Sequence, residues 1–289
     1  MQPKRLSILG VGLLGGSIGL AVRSRIRACR VIGYGHRSTT LANAQQSGAI
    51  DEAYEKVDDA VRGSDLIILC TPVGTFSTIL PQIAATARPG SIVTDVGSTK
   101  RTVVATAQKV LPAGVHFVGS HPMAGSEKRG VDFARADLFD DALCITTPTE
   151  HTDPWALEEV EAFWRSLGMR TTRLSPEEHD RRLAEVSHLP HAVAAALIAM
   201  QQDASLDLCG KGFLDATRIA SGDAALWRDI LLDNRDNLRA AIGGMKHVLD
   251  DLLAMLENKD AAAVAKWLET SAHRRQELLA RRSNDPGPE

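Results

Sequence analysis

Four short segments of this chain crowd histidines, acids, bases and hydroxyls together. The first, 119–130, holds His121, Ser126, Glu127 and Lys128 between glycines, just after an apolar run. The second, 95–100, holds Asp95, Ser98 and Lys100. The third, 187–191, sets His188 and His191 three residues apart, and the fourth, 215–228, holds Asp215, Arg218 and Trp227. An imidazole with a pKa near neutrality is suited to taking a hydroxyl proton at pH 7. A guanidinium presents a planar fork that can bind a carboxylate through paired charge-assisted bonds. Each segment also has a plainer use. His188 and His191 could be a metal pair, but no third ligand is spaced nearby, so no metal is expected. Ser98 could cap a helix starting near Thr99, Arg218 could serve only in a salt bridge, and Trp227 could anchor a core or a subunit contact.

A fifth segment points to a dinucleotide. Gly10, Gly12 and Gly15 follow a predicted strand and open a predicted helix. In that context the first glycine permits the turn, the second lets backbone N–H groups approach a pyrophosphate, and the third lets helix and strand pack closely. The helix N-terminus adds partial positive charge. Leu13 and Leu14 belong to the same loop, and Thr71 and Pro72, after the run 65–70, complete the expected cofactor set. An acid about 20 residues past the glycines would hold the adenosine ribose 2′-hydroxyl; the stretch 33–40 has none. His36, Arg37, Ser38 and Thr39 could instead cradle a 2′-phosphate, which favours NADP over NAD, although His and Arg can also stack on adenine.

The elements that must position these groups change character along the chain. Strands are predicted at 5–10, 30–34, 65–70, 91–95, 115–119, 142–147 and 169–174, separated by helical stretches such as 14–24 and 154–166. This alternation implies an α/β Rossmann-like domain with a mainly parallel sheet over 1–174. Ser175, Pro176 and Glu178 mark a helix start with a capping box. Apolar spacing of three to four then predicts helices over 176–204, 223–257 and 260–282, an all-α second domain at 175–289. Its apolar faces exceed the needs of one small bundle, so a homodimer is expected. The final residues, from Ser283, have the composition of a frayed tail.

Composition narrows the class. The 289 residues amount to about two domains at roughly 100–200 residues each, and 44% hydrophobic with 24% charged residues is ordinary for a globular chain. Thirty-three basic against 36 acidic residues leave a net charge of -3, which speaks against a nucleic-acid or anionic-membrane partner. No apolar run is long enough for a membrane span or a signal peptide. Cys29, Cys70, Cys144 and Cys209 read as buried free thiols, and the cytoplasm is the expected compartment. From these residues the reading is a nicotinamide-dependent dehydrogenase with a helical, dimerising second domain. A β-hydroxyacid dehydrogenase or an imine reductase shares that outline, with Lys100 as a catalytic lysine in the former, and a dinucleotide-sensing regulator is the alternative outside enzymes.

Taken in order, the segments 10–17, 95–100, 121–130, 187–191, 217–220 and 227–229 resemble the family of prephenate, arogenate and cyclohexadienyl dehydrogenases of tyrosine biosynthesis, over nearly the whole chain. The resemblance implies oxidative decarboxylation of a cyclohexadiene, either prephenate or arogenate, with hydride passing to a nicotinamide cofactor. It implies that His121 is the base, that Ser98 orients His121 or the substrate hydroxyl, and that Arg218 binds a substrate carboxylate. His179, His188 and His191 would line the substrate cleft, Asp215 and Trp227 would sit near the substrate side chain, and Ser126 and Glu127 would lie in the matching loop. The stretch 35–36 departs from relatives that carry an acid there, which bears on cofactor choice.

Overall fold

The computed structural model describes residues 2–125 and 128–283. The chain divides into two compact units, Met1–Asn234 and Arg235–Glu289. In the first, eight strands form one sheet: β1 Arg5–Leu9, β2 Arg30–Tyr34, β3 Glu52–Tyr54, β4 Leu66–Leu69, β5 Ile92–Asp95, β6 His116–Pro122, β7 Leu143–Thr147 and β8 Arg170–Arg173. Their spatial order is β3-β2-β1-β4-β5-β6-β7-β8. Every pairing is parallel except β6 with β7. The fold is therefore the expected Rossmann-like, mainly parallel sheet, and the strand order reverses between β1 and β4, where such sheets open a crevice for ligands.

The central strands are apolar on both faces because helices cover both faces. Leu6, Ile8, Leu66 and Ile68 join a core with Phe139, Phe163 and Trp164, while Leu9, Ile67, Leu69 and Val93 join another with Ile79, Leu80 and Ile83. Full burial of one such side chain is worth about 1.5–3 kcal/mol. The helices in order are α1 Leu13–Arg25, α2 Ser38–Gln46, α3 Val57–Val61, α4 Phe76–Thr86, α5 Arg101–Val110 and α6 Pro154–Ser166.

Among the described residues only helices follow β8, beginning with α7 Pro176–Leu183, α8 Leu189–Ala199, α9 Asp203–Leu206, α10 Lys211–Thr217 and α11 Ala224–Asp233. Ser175 caps α7, its Oγ accepting from Glu178 N at 3.1 Å. The expected capping box is not closed, because the Glu178 carboxylate instead accepts from Arg181 and Arg182. The predicted helix over 176–204 stops at Ala199 and carries a π-turn over Ala184–His188. Pro190 accounts for it: proline has no N–H for the carbonyl of Val186, and its ring crowds that carbonyl. The second unit consists of α12 Arg235–Glu257 and α13 Ala261–Ser283, which pack against each other across a turn where Lys259 has φ 51.

Two further differences matter for the site. The sequence reading misses β3, which is only three residues long, and ends β6 at 119. In the structure β6 continues to Pro122 because β7 turns back antiparallel and pairs with it, His121 opposite Ile145. His121 therefore stands on a sheet strand, not in an exit loop. All four cysteines are free, but only Cys144 is fully buried; Cys29 and Cys70 are half-buried and Cys209 is exposed. No helix among the described residues is long and apolar enough to cross a membrane.

Candidate active site

The glycine loop is shaped for a phosphate. Gly10 has φ +110, and a Cβ there would lie 2.8 Å from the Cys70 carbonyl carbon. A Cβ on Gly15 would lie 2.1 Å from the Gly10 oxygen, so α1 can approach β1 this closely only through glycine. At Gly12 a Cβ would meet nothing within 4 Å. That open side lies beside the N-terminus of a 13-residue helix with no side-chain cap, which suits a pyrophosphate. Leu13 and Leu14 are half-buried at the same turn. Thr71 and Pro72 follow β4, the strand next to β1, and Thr75 donates to the Thr71 hydroxyl at 2.8 Å. A cavity of about 450 Å³ lies against Leu13, Met123, Ala124, Lys128, Phe133 and Arg135. At the end of β2, His36, Arg37 and Ser38 are exposed at the start of α2, and His36 contacts the Tyr34 hydroxyl at 3.2 Å.

At the carboxyl end of the sheet, a chain of buried groups leads to His121. His121 Nδ1 lies 2.9 Å from His179 Nε2, and His179 Nδ1 lies 2.8 Å from Asp180 Oδ1. Asp180 in turn accepts from Lys100 N at 2.7 Å and Arg101 N at 3.0 Å. The carboxylate of one helix thus caps the N-terminus of another, α5. The protonation pattern follows from the end that cannot change. Burial pushes the Asp180 carboxyl up, but the His179 bond and the two backbone N–H groups outweigh it and hold it below its ordinary value. An ionised carboxylate only accepts, so His179 Nδ1 carries the proton and donates. Neutral His179 then offers a lone pair at Nε2, His121 donates to it from Nδ1, and His121 Nε2 is left as a lone pair.

Electrostatics keep these rings neutral. Burial, then the neighbouring His179, Lys100 and His188, pushes His121 well below 6.5. The expected near-neutral pKa is not found in the ligand-free chain, because the ring is only 8% exposed. Burial also lowers His179, against the upward pull of Asp180. Below the chain, Lys100 and Asp95 form an ion pair with both side chains fully buried. Asp95 also accepts from Gly97 N at 2.8 Å and Ser120 N at 3.1 Å, so the pair braces β5 against β6.

His188 is buried at the π-turn, its Nδ1 3.1 Å from Asn234 Nδ2, and burial takes its pKa to about 4. His191, also buried, stacks on Trp227 with ring centroids 3.5 Å apart and planes 11° apart. Ser98 is half-buried in the loop before α5, and its backbone acts on the His188 ring. Two expectations change here. His179, not Ser98, holds His121 Nδ1. His179 itself does not line a cleft, since it is fully buried with both ring nitrogens engaged. The helix-capping use weighed for Ser98 falls to Asp180, because α5 starts at Arg101 rather than Thr99. Arg218 is exposed on the turn Arg218–Ser221, which packs against α8, and Asp215 is exposed on α10. Ser126 and Glu127 lie outside the described residues.

The sequence reading passes over Asp180 and Asn234. A signal for the first was present: along α7 and into the π-turn the positions 176, 179, 180, 183 and 184 form one helical stripe, and Leu183 and Ala184 mark it as the buried face. An acid on such a stripe needs a buried partner.

A Rossmann sheet, a glycine loop shaped for a pyrophosphate and a neutral imidazole at the end of β6 fit an oxidoreductase of the NAD(P)-binding class. Comparison with known proteins narrows this. Residues 18–173 match the family described as prephenate dehydrogenase, nucleotide-binding domain, and residues 175–270 match prephenate dehydrogenase, dimerization domain. The chain is 35% identical to the prephenate dehydrogenase of Bacillus subtilis (strain 168) over 281 residues, 95% of this chain and 76% of that one. The crystal structure of prephenate dehydrogenase from A. aeolicus, in complex with hydroxyphenyl propionate and NAD+, superposes with a TM-score of 0.89 at 34% identity, covering 96% of this chain and 98% of that one. Synechocystis arogenate dehydrogenase superposes with a TM-score of 0.81 at 29% identity, covering 95% and 99%. The chain belongs to the prephenate dehydrogenase family.

Proposed function

We propose that the protein oxidatively decarboxylates prephenate to 4-hydroxyphenylpyruvate, and that His121 is its base. The observation that carries this reading is the chain from Asp180 through His179, which leaves an unprotonated Nε2 on His121 at the end of β6. When bound, the nicotinamide supplies the acceptor for the hydride from the ring carbon that bears the hydroxyl. His121 Nε2 takes the hydroxyl proton, and the charge that develops on His121 is spread through His179 to the Asp180 carboxylate. Loss of CO₂ then leaves its bonding pair in the ring, which becomes aromatic as His121 returns the proton to the ring oxygen, and this drives the second half. Arg218 binds a substrate carboxylate, Ser98 bonds the substrate hydroxyl, His188 and His191 face the substrate, and Trp227 with Asp215 bounds its side-chain end. Ser126 and Glu127 are assigned to the substrate loop by position alone.

For the cofactor, Gly10, Gly12, Leu13, Leu14, Gly15, Thr71 and Pro72 hold the dinucleotide. We favour NADP over NAD, because exposed Arg37 and Ser38 at the start of α2 offer a cation and a hydroxyl to a 2′-phosphate where no acid repels it. The labour divides into a nucleotide-binding part, 1–174, and a substrate and dimerisation part, 175–289. The exposed Val248, Leu249, Leu253 and Leu256 of α12 and Leu268, Leu278 and Leu279 of α13 are the faces a second copy would cover, making a homodimer. Free thiols fit a reducing compartment, the cytoplasm.

Arogenate is the second substrate to test, favoured by the likeness to the Synechocystis arogenate dehydrogenase. Absorbance at 340 nm, with prephenate and arogenate each paired with NAD and NADP, separates these readings. Turnover is expected with prephenate, faster with NADP. Inactivity of folded, dinucleotide-binding protein in all four mixtures would refute the reaction.

A further inference from the structure

Asn234 closes α11 and is fully buried. Its side-chain Nδ2 lies 2.6 Å from the backbone oxygen of Asp180 and 3.1 Å from His188 Nδ1. A carbonyl oxygen can only accept, so the atom facing it is the amide nitrogen and not the amide oxygen. An amide nitrogen only donates, so His188 Nδ1 must accept, and the ring proton of neutral His188 sits on Nε2. That Nε2 is buried without a hydrogen-bond partner. The His188 ring is within electrostatic reach of His121 and meets Trp227 edge-on with centroids 6.3 Å apart; the Ser98 backbone favours its protonated form but does not reach hydrogen-bond geometry with Nε2.

We infer that Asn234 is a positioning residue: it locks His188 in the Nε2–H tautomer, so that the pocket presents a fixed, neutral donor to an oxygen of the substrate. The inference rests on the proposed reaction only for the identity of that substrate. A buried donor left unmatched is costly, and an acceptor oxygen arriving with the ligand removes that cost. Burial takes His188 to a pKa of about 4, so the donor does not become a cation near neutral pH. Asp180 faces the ring as an anion, His179 faces it as a neutral ring, and Asp233 acts on it from α11. The site thus holds two neutral imidazoles of opposite polarity, an acceptor at His121 and a donor at His188.

The tautomer is read directly by NMR of the ligand-free protein labelled with 13C and 15N in histidine, with the His188 signals assigned from a His188→Gln spectrum. Nε2–H is expected, and Nδ1–H in the wild-type protein would overturn the inference whether or not the protein turns over prephenate. Asn234→Asp replaces the donor by an acceptor. His188 is then expected to move its proton to Nδ1, and the substrate KM to rise about tenfold or more while dinucleotide affinity stays unchanged. An unmoved tautomer, or an unmoved KM in active protein, would overturn it. Should Asn234→Asp fail to fold, His188→Gln keeps an N–H near the Nε2 position and His188→Met does not. The KM of His188→Met is expected to exceed that of His188→Gln by about tenfold; equal values would overturn the donor. If neither prephenate nor arogenate reacts, the proposed reaction fails while the NMR result still decides the tautomer.

Discussion

Acidification should destabilise this protein well above the carboxylate range, because its buried imidazoles refuse protons that the unfolded chain accepts. For His188 the unfolded value is 6.5 and the folded value about 4. With the folded pKa depressed, the unfolded state binds more protons whenever the pH lies below about 6.5, so stability falls as pH falls. The contribution is complete above neutrality, declines between pH 7 and 4, and changes little below 4. Between pH 7 and 5 this one ring should cost about 2 kcal/mol, using about 1.4 kcal/mol per pKa unit. His121 and His179, also held below 6.5, act with the same sign. Asp180 and Glu161, whose carboxyls are held low, lose their contribution only at lower pH, whereas Asp95, whose carboxyl burial pushes up, acts with the opposite sign, so the contribution of His188 is read from the difference between wild type and variant. The assay is urea unfolding followed by tryptophan fluorescence at pH 7, 6 and 5, in the wild type and in His188→Gln. From pH 7 to 5 the wild type should lose about 2 kcal/mol more than the variant. An equal loss in the two proteins would refute the burial argument.

Three substitutions address the site itself. His121→Asn should lower turnover by about two to four orders of magnitude, the range for losing a general base, while dinucleotide binding measured by fluorescence titration survives; near-wild-type rates would remove His121 from the mechanism. Arg218→Ala should chiefly raise the substrate KM, and an effect confined to thermal stability would return Arg218 to a structural role. Asp180→Ala removes the α5 cap and leaves the N–H groups of Lys100 and Arg101 and the Nδ1–H of His179 without their acceptor. A loss of about 3 kcal/mol is expected in urea unfolding, and a loss below about 1 kcal/mol would mean that water replaces the carboxylate.

Most of the sheet is legible in the sequence because its strands are short apolar runs bounded by turn residues, and because Gly10, Gly12 and Gly15 fall between a strand and a helix. The three-residue β3 is invisible to any such pattern, its residues Glu52, Ala53 and Tyr54 being only half-buried. The full length of β6 was hidden for a different reason: Ser120, His121 and Pro122 have little strand propensity, and only pairing with β7 extends the strand through them. The site was half legible. Histidines announce themselves by type, but their tautomers depend on groups distant along the chain. His179 is 58 residues from the ring it orients, and Asn234 is 46 residues from His188. The continuous helix expected over 176–204 follows from apolar spacing, whereas the π-turn within it depends on the missing N–H of Pro190.

Asp180 is where these separate facts meet. Its carboxylate accepts from two N–H groups of α5 and from His179, and its carbonyl accepts from Asn234. Neither oxygen set can reverse its role, so each fixes the direction of every hydrogen bond beyond it. Through the carboxylate, His121 ends as an acceptor; through the carbonyl, His188 ends as a donor. A cationic pair of histidines would attract any anion; on the proposed reaction, two neutral rings of opposite polarity would select by hydrogen-bond pattern, matching a hydroxyl proton at one and an oxygen lone pair at the other. The same anchoring explains why α7 packs with the sheet that precedes it. The strands end before residue 174, yet the compact unit runs to Asn234, and the groups that set the protonation of His121 on β6 come from α7, past the last strand.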